Sequence, residues 1–295
     1  MALFGTCSMA DLLFGRDARL RSGWKILLFG LGAAVANGLA GTLRSSLAPD
    51  CRWLPGPCWS GLALLALTGW CLGQEGRPLA SVGLALDRRW AIQWTAGVLS
   101  GAGLIGLMAL ASFLGGGYHL VRHPAVGPGA LLAGAWLYLA VALGEELLFR
   151  GYAFQRLIQG LATGPALLLM ALLFAASHGG NPGMTGATRI WASLNLVLAG
   201  LLLGLAYVRT GSLALPIGLH LGWNWTQGSL LGFGVSGLHA GGWWSPVFHH
   251  GQPLWLTGGR FGLEASLPCT LLGALACAVL TWRPSGKNLP GWINS

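Results

Sequence analysis

Residues 129–152 read GALLAGAWLYLAVALGEELLFRGY, and this run decides the fold. Positions 129–143 carry no charge. A stretch of about 20 apolar residues is what a helix needs to cross a bilayer. At its inner end stand Glu145 and Glu146, followed by Arg150. An isolated ionised group in such a place costs several kcal/mol. The whole chain has only 8 acids, so two at one depth in the membrane are either paired or used.

The same pattern recurs outward from this run. Of 295 residues, 54% are hydrophobic and 8% charged, against about 25% charged in ordinary soluble domains. The expected class is all-α, a polytopic membrane protein of about eight spans. They fall near 24–43, 55–73, 91–114, 129–150, 164–178, 190–208, 212–231 and 264–282. No linker separates two domains. The expectation is a cytoplasmic N-terminal stub at 1–22, one helical domain at 23–283 with its motif core at 129–231, and a cytoplasmic tail at 284–295.

The net charge of +9 reports orientation and requires no nucleic-acid partner. With the chain started inside, Lys and Arg divide twelve to five in favour of the inner face. That bias puts both termini in the cytoplasm of a multi-pass protein of the cell (inner) membrane. Membrane lipid is the expected partner of the basic loops. The basic segment from Arg16 to Lys25 leads into an apolar run too long for a cleavable signal, so it reads as a retained first span. No Cys-x-x-Cys occurs among the six cysteines, so neither a zinc ribbon nor a redox dithiol is implied. Cys51 and Cys58 share the first outer loop, where an oxidising compartment would allow a disulfide. The outer stretch 232–263 is rich in Gly, Trp and His; its His239, His249 and His250 read as solvated loop residues. No internal repeat relates the two halves, which weakens a transporter reading.

Glu146 and Arg150, four apart with the acid first, share a helix face and suit an ion pair. Glu145 points about 100° away around the helix and is left unpaired. The fifth span ends Phe174-Ala-Ala-Ser177-His178 and breaks at Gly179-Gly-Asn181-Pro182-Gly. With the turn near Thr163, an antiparallel hairpin brings His178 to within about 5 Å of the height of Glu145. In the seventh span His220 and Asn224 are four apart and project together. Counted from the turn at Thr210-Gly211, they lie at a similar depth. A carboxylate, two imidazoles and an amide thus meet at one level. Such a set suits water-driven acyl transfer: the acid and an imidazole handle protons, and imidazole and amide donors hold an oxyanion. Ser177, adjacent to His178, reads as splayed from it and is no nucleophile. Asn195 and Arg189 read as possible cavity or packing residues of the sixth span.

Glu145-Glu146-x-x-x-Arg150, Phe174-x-x-x-His178 and His220-x-x-x-Asn224 together resemble the motifs of the type II CAAX prenyl endopeptidase family, also called CPBP (CAAX proteases and bacteriocin-processing enzymes). The similarity covers roughly 77–231 and includes Asn181-Pro182 and Arg209-Thr-Gly-Ser-Leu. It implies a glutamic intramembrane endopeptidase with an eight-helix fold and a cytoplasm-facing catalytic cavity. In that pattern Glu145 and His178 activate water, and His220 and Asn224 form the oxyanion site. Glu146 and Arg150 support the structure, and neither metal nor cofactor is needed. The substrate is an unidentified peptide or protein. Two further readings stay open: a non-proteolytic factor of the same fold, in bacteriocin self-immunity or scaffolding, and a zinc-dependent variant using His178, His220 and Glu145.

Overall fold

A computed structural model describes residues 13–14, 20–47 and 54–282. Most of the stub 1–22, the whole tail 284–295 and Cys51 lie outside the described residues; Cys58 is a buried free thiol. The chain is mostly helical. We number the helices α1 (Ser22–Leu47), α2 (Gly56–Gly73), α3 (Arg88–Leu114), α4 (Pro128–Arg150), α5 (Tyr152–Leu161), α6 (Thr163–Ser177), α7 (Gly186–Thr210), α8 (Ala214–Asn224) and α9 (Leu267–Trp282). A wide π-helical turn, Trp225–Leu230, continues α8.

Among the described residues, four helical stretches are long and apolar enough to cross a membrane: α1, α3, the α4–α5 run Pro128–Leu161, and α7. The others are shorter. On α1, Leu27, Leu31, Val35, Leu39 and Leu43 remain exposed, an apolar stripe suited to lipid contact. The ends follow local chemistry. Prolines open α2, where a missing N–H costs nothing. The Asp87 side chain accepts the Trp90 backbone N–H at 2.7 Å and caps α3. Gly211, at φ 63°, closes α7 in the left-handed conformation.

One glycine crossing fixes α8, which carries His220 and Asn224. Gly97 and Gly101 of α3 face Gly218 and Gly222 of α8. A Cβ on Gly97 would strike the Leu215 carbonyl, and one on Gly101 the Leu219 carbonyl. From the other side, Gly218 would strike Trp94 and Gly222 would strike Val98. Backbones approach this closely only when the facing residues lack side chains. His220 lies between the two α8 glycines in sequence and is turned away from α3.

The structure corrects the expected course after α4. By their polarity, Gln155 and Arg156 are expected to mark the membrane edge beyond the fourth span. Instead the helix breaks at Gly151, and both residues are buried in α5. Arg156 pairs with Glu75 at 3.3 Å, and Gln155 donates to Ser81 and Tyr207. The turn itself falls at Ala162, beside Thr163 as expected. The all-α expectation also needs one addition. β1 (Tyr118–Arg122) and β2 (Trp244–Phe248) form an antiparallel ribbon with Tyr118 opposite Phe248. It ties the α3–α4 connection to the long stretch after α8.

Candidate active site

The adjacent acids of α4 diverge as helical geometry requires. Glu146 points inward and is fully buried. Arg150 donates from Nη1 to its Oε1 at 3.1 Å and from Nη2 to the Gly200 carbonyl at 3.0 Å. The guanidinium also lies over the Phe174 ring, 4.7 Å from its centroid. The expected pair is therefore present and dry. Glu146 has a further partner that spacing did not reveal: His220 Nδ1 lies 2.9 Å from the same Oε1. A carboxylate only accepts, so the ring proton sits on Nδ1, and Nε2 is turned the other way.

That direction is towards Glu145. Its Oε2 lies 3.9 Å from His220 Nε2 and 3.9 Å from His178 Nε2. The oxygen is buried and makes no hydrogen bond among the described residues. At 3.9 Å neither contact is a direct hydrogen bond, whereas a water-sized group beside the oxygen reaches both rings.

His178 caps the C-terminus of α6 rather than continuing it. Its Nδ1 lies 2.8 Å from the Phe174 carbonyl, which accepts the ring proton and leaves Nε2 free to face Glu145. Ser177 departs from its expected placement. Because His178 leaves the helical path, its ring folds back, and Ser177 Oγ approaches Nδ1 at 3.1 Å while donating to the Phe174 carbonyl at 2.7 Å. The hydroxyl props the ring from behind, on the side away from Glu145. Beyond the break, Asn181 Nδ2 donates to the Ser236 carbonyl at 2.9 Å and anchors the loop.

Glu145, His178, His220 and Asn224 line one cavity of about 490 Å³. Asn224 is buried one turn beyond His220. Sequence reasoning missed another lining residue, Glu264. This carboxylate is buried, accepting from Trp223 Nε1 at 3.1 Å and from the backbone N–H and hydroxyl of Ser236. The available signal was an acid at the threshold of the last apolar span. Asn195 also lines the cavity, but its amide is committed to the Glu264 and Ser266 carbonyls. Among the described residues, no group of three His, Cys, Asp or Glu side chains is arranged to hold a metal ion.

The exposed lining residues are Ser177, Leu238, His239 and Ala240. They put the mouth at the end of the bundle where Asn181 and the stretch after α8 lie. The basic side chains Lys25, Arg77, Arg88, Arg89 and Arg209 gather at the opposite end.

Residues 127–226 match the family model described as Type II CAAX prenyl endopeptidase Rce1-like. The chain is similar to that family over this stretch, about a third of its 295 residues. No curated protein matches the chain. The Rce1-like segment contains Glu145, Glu146, Arg150, His178, His220 and Asn224. It excludes α1 to α3, Ser236 and Glu264. The family is one of proteases, which supports a peptidase, and the apolar helices with the family together indicate a membrane protein.

Proposed function

We propose that this chain is an intramembrane glutamic endopeptidase that hydrolyses a peptide bond with an activated water. The observation that carries this reading is the buried, unbonded Oε2 of Glu145 facing the Nε2 atoms of both histidines at 3.9 Å. Water held there gives a proton to the Glu145–His178 pair as its oxygen attacks the scissile carbonyl. The carbonyl oxygen becomes an oxyanion. Asn224 Nδ2–H and a proton on His220 Nε2 are its donors, in a site shielded from bulk water. When Nε2 carries that proton, the charge on the ring is faced by Glu146. The stored proton then passes to the leaving amine as the C–N bond breaks. Glu146 and Arg150 hold the ring and the helix in place.

The apolar wall of the cavity, with Leu196, Leu202 and Leu219, suits an extended apolar peptide. We further propose eight spans in the cell membrane with both termini cytoplasmic, the basic end inside. The catalytic cavity then opens towards the opposite half of the bilayer.

The test compares membrane-embedded peptides in cells carrying wild-type protein and Glu145→Gln. A cleaved peptide present only with wild type, and reproduced by purified protein in proteoliposomes, supports the proposal. Identical peptide profiles, together with undiminished cleavage by Glu145→Gln and His178→Ala proteins, would end it.

A further inference from the structure

Far from the Rce1-like site, at the basic end of the bundle, a second cavity of about 870 Å³ lies between α1, α2 and α5. Its polar end is built around one acid. Glu75 Oε1 accepts from Lys25 Nζ at 2.9 Å and from the Tyr152 hydroxyl at 2.8 Å. Glu75 Oε2 lies 3.5 Å from Arg77 Nη1 and 3.3 Å from Arg156 Nη1. Among the described residues, three cations thus share a single carboxylate, leaving two positive charges in excess.

That excess is poorly solvated. The Arg156 side chain is 9% exposed, and among the described residues neither its Nε nor the buried Nη1 of Arg77 makes a hydrogen bond. Buried guanidinium N–H groups without acceptors are costly. Like-charged neighbours at this range repel one another unless a second anion joins them. The other end of the cavity is apolar: Leu28, Phe29, Gly32, Leu67 and Trp70 form a trough. Leu28 and Trp70 are exposed on the flank of the bundle, where acyl chains would lie.

We propose that this cavity is a binding site for an anionic phospholipid, its phosphate held by Lys25, Arg77 and Arg156 and one acyl chain in the α1–α2 trough. Arg77 and Arg156, each with a buried nitrogen that makes no hydrogen bond among the described residues, provide the planar donors that phosphate oxygens accept. A free phosphate ion would satisfy the cations and leave the trough unused. The charge excess and the adjoining apolar groove together select the lipid.

The test uses full-length protein purified in detergent and stripped of lipid. It is titrated with dioleoyl phosphatidylglycerol, dioleoyl phosphatidylcholine or inorganic phosphate, and read by native mass spectrometry and thermal shift. The expected result is one tightly retained phosphatidylglycerol, bound at least about ten-fold more tightly than phosphatidylcholine. Lys25→Gln should weaken it about five-fold, the factor equivalent to ~1 kcal/mol per basic residue at an anionic surface. Gly32→Leu, which fills the trough beside Leu67, should weaken the lipid without altering the response to phosphate. Equal affinity for the two lipids would overturn the proposal. So would phosphate acting as strongly as phosphatidylglycerol, or full lipid retention by both folded variants.

Discussion

The ring of His220 is held between the two acids of one helix: Nδ1 sits 2.9 Å from Glu146 and Nε2 faces Glu145 at 3.9 Å. Glu146 is therefore a positioning residue as well as half of an ion pair, and the two roles separate experimentally. Glu146→Gln breaks a buried pair and should cost about 3–5 kcal/mol, lowering Tm. The double variant Glu146→Gln/Arg150→Gln removes both charges and should recover part of that loss. Cleavage should stay impaired in kcat with little change in KM, because the ring has lost its anchor. A stable double variant with wild-type kcat would limit Glu146 to packing.

Glu145 should behave in the opposite way. Its Oε2 makes no hydrogen bond among the described residues, so Glu145→Gln removes a charge without breaking a pair. Thermal unfolding is expected to be unchanged or slightly raised. Peptide hydrolysis should fall by about 10²–10⁴-fold, the range for losing a general base. Asn224→Ala should lower kcat by about 10²–10³-fold, as removal of one oxyanion donor does.

The glycine crossing that seats α8 predicts a sharp positional contrast. Gly101→Val forces a side chain into the Leu219 carbonyl and should cost at least about 1–3 kcal/mol, the usual penalty of overpacking. It should also reduce cleavage, because His220 and Asn224 ride on the displaced helix. Gly103→Val, on the same helix with nothing within 4 Å of its Cβ position, should leave both Tm and activity near wild type.

Glu75 carries a pH dependence. Burial disfavours its charged form, but hydrogen bonds from Lys25 and Tyr152 and the charge of Arg156 outweigh that effect and hold its carboxyl below the usual glutamate range. A depressed folded pKa adds stability above the unfolded value and loses it as pH falls through the folded one. Wild-type Tm should therefore drop as pH is lowered from about 5 to about 3, where carboxylates titrate. Glu75→Gln should start lower and show a flatter profile over that window. Parallel profiles would show that the cluster adds nothing to folding.

The proposed orientation is checked by thiol labelling. With a membrane-impermeant maleimide on intact cells, Ala240→Cys at the cavity mouth should label against the unmodified chain as control. Gln74→Cys at the basic end should label only after permeabilisation. The reverse pattern would invert the molecule and make the cavity cytoplasm-facing.

What the chain disclosed in advance followed from periodicity within single helices. The four-residue spacings of Glu146 with Arg150 and of His220 with Asn224 define shared faces, and counting rise from two turns put Glu145, His178 and His220 at a similar height. What stayed hidden depends on how helices cross. The Glu146–His220 bond needs the rotation of α8 against α4, set by glycines of α3. The fold-back of His178 onto Ser177 needs the exact exit of the chain from α6, which composition does not encode. Glu264 is separated from the other cavity residues by the long stretch after α8, and no local pattern ties it to them. Gln155 and Arg156 look like boundary residues because their partners, Glu75, Ser81 and Tyr207, lie in other elements.

Ser236 and Glu264 wall the cavity yet fall beyond residue 226, where the Rce1-like match ends. The proposed reactive groups and part of the surrounding mould are thus written in different stretches of the gene. Two chains with identical bond-breaking groups can accordingly accept unlike peptides if they diverge after the π-helical turn. Grafting that later stretch between such chains is the rearrangement by which new selectivity would be acquired without touching the chemistry.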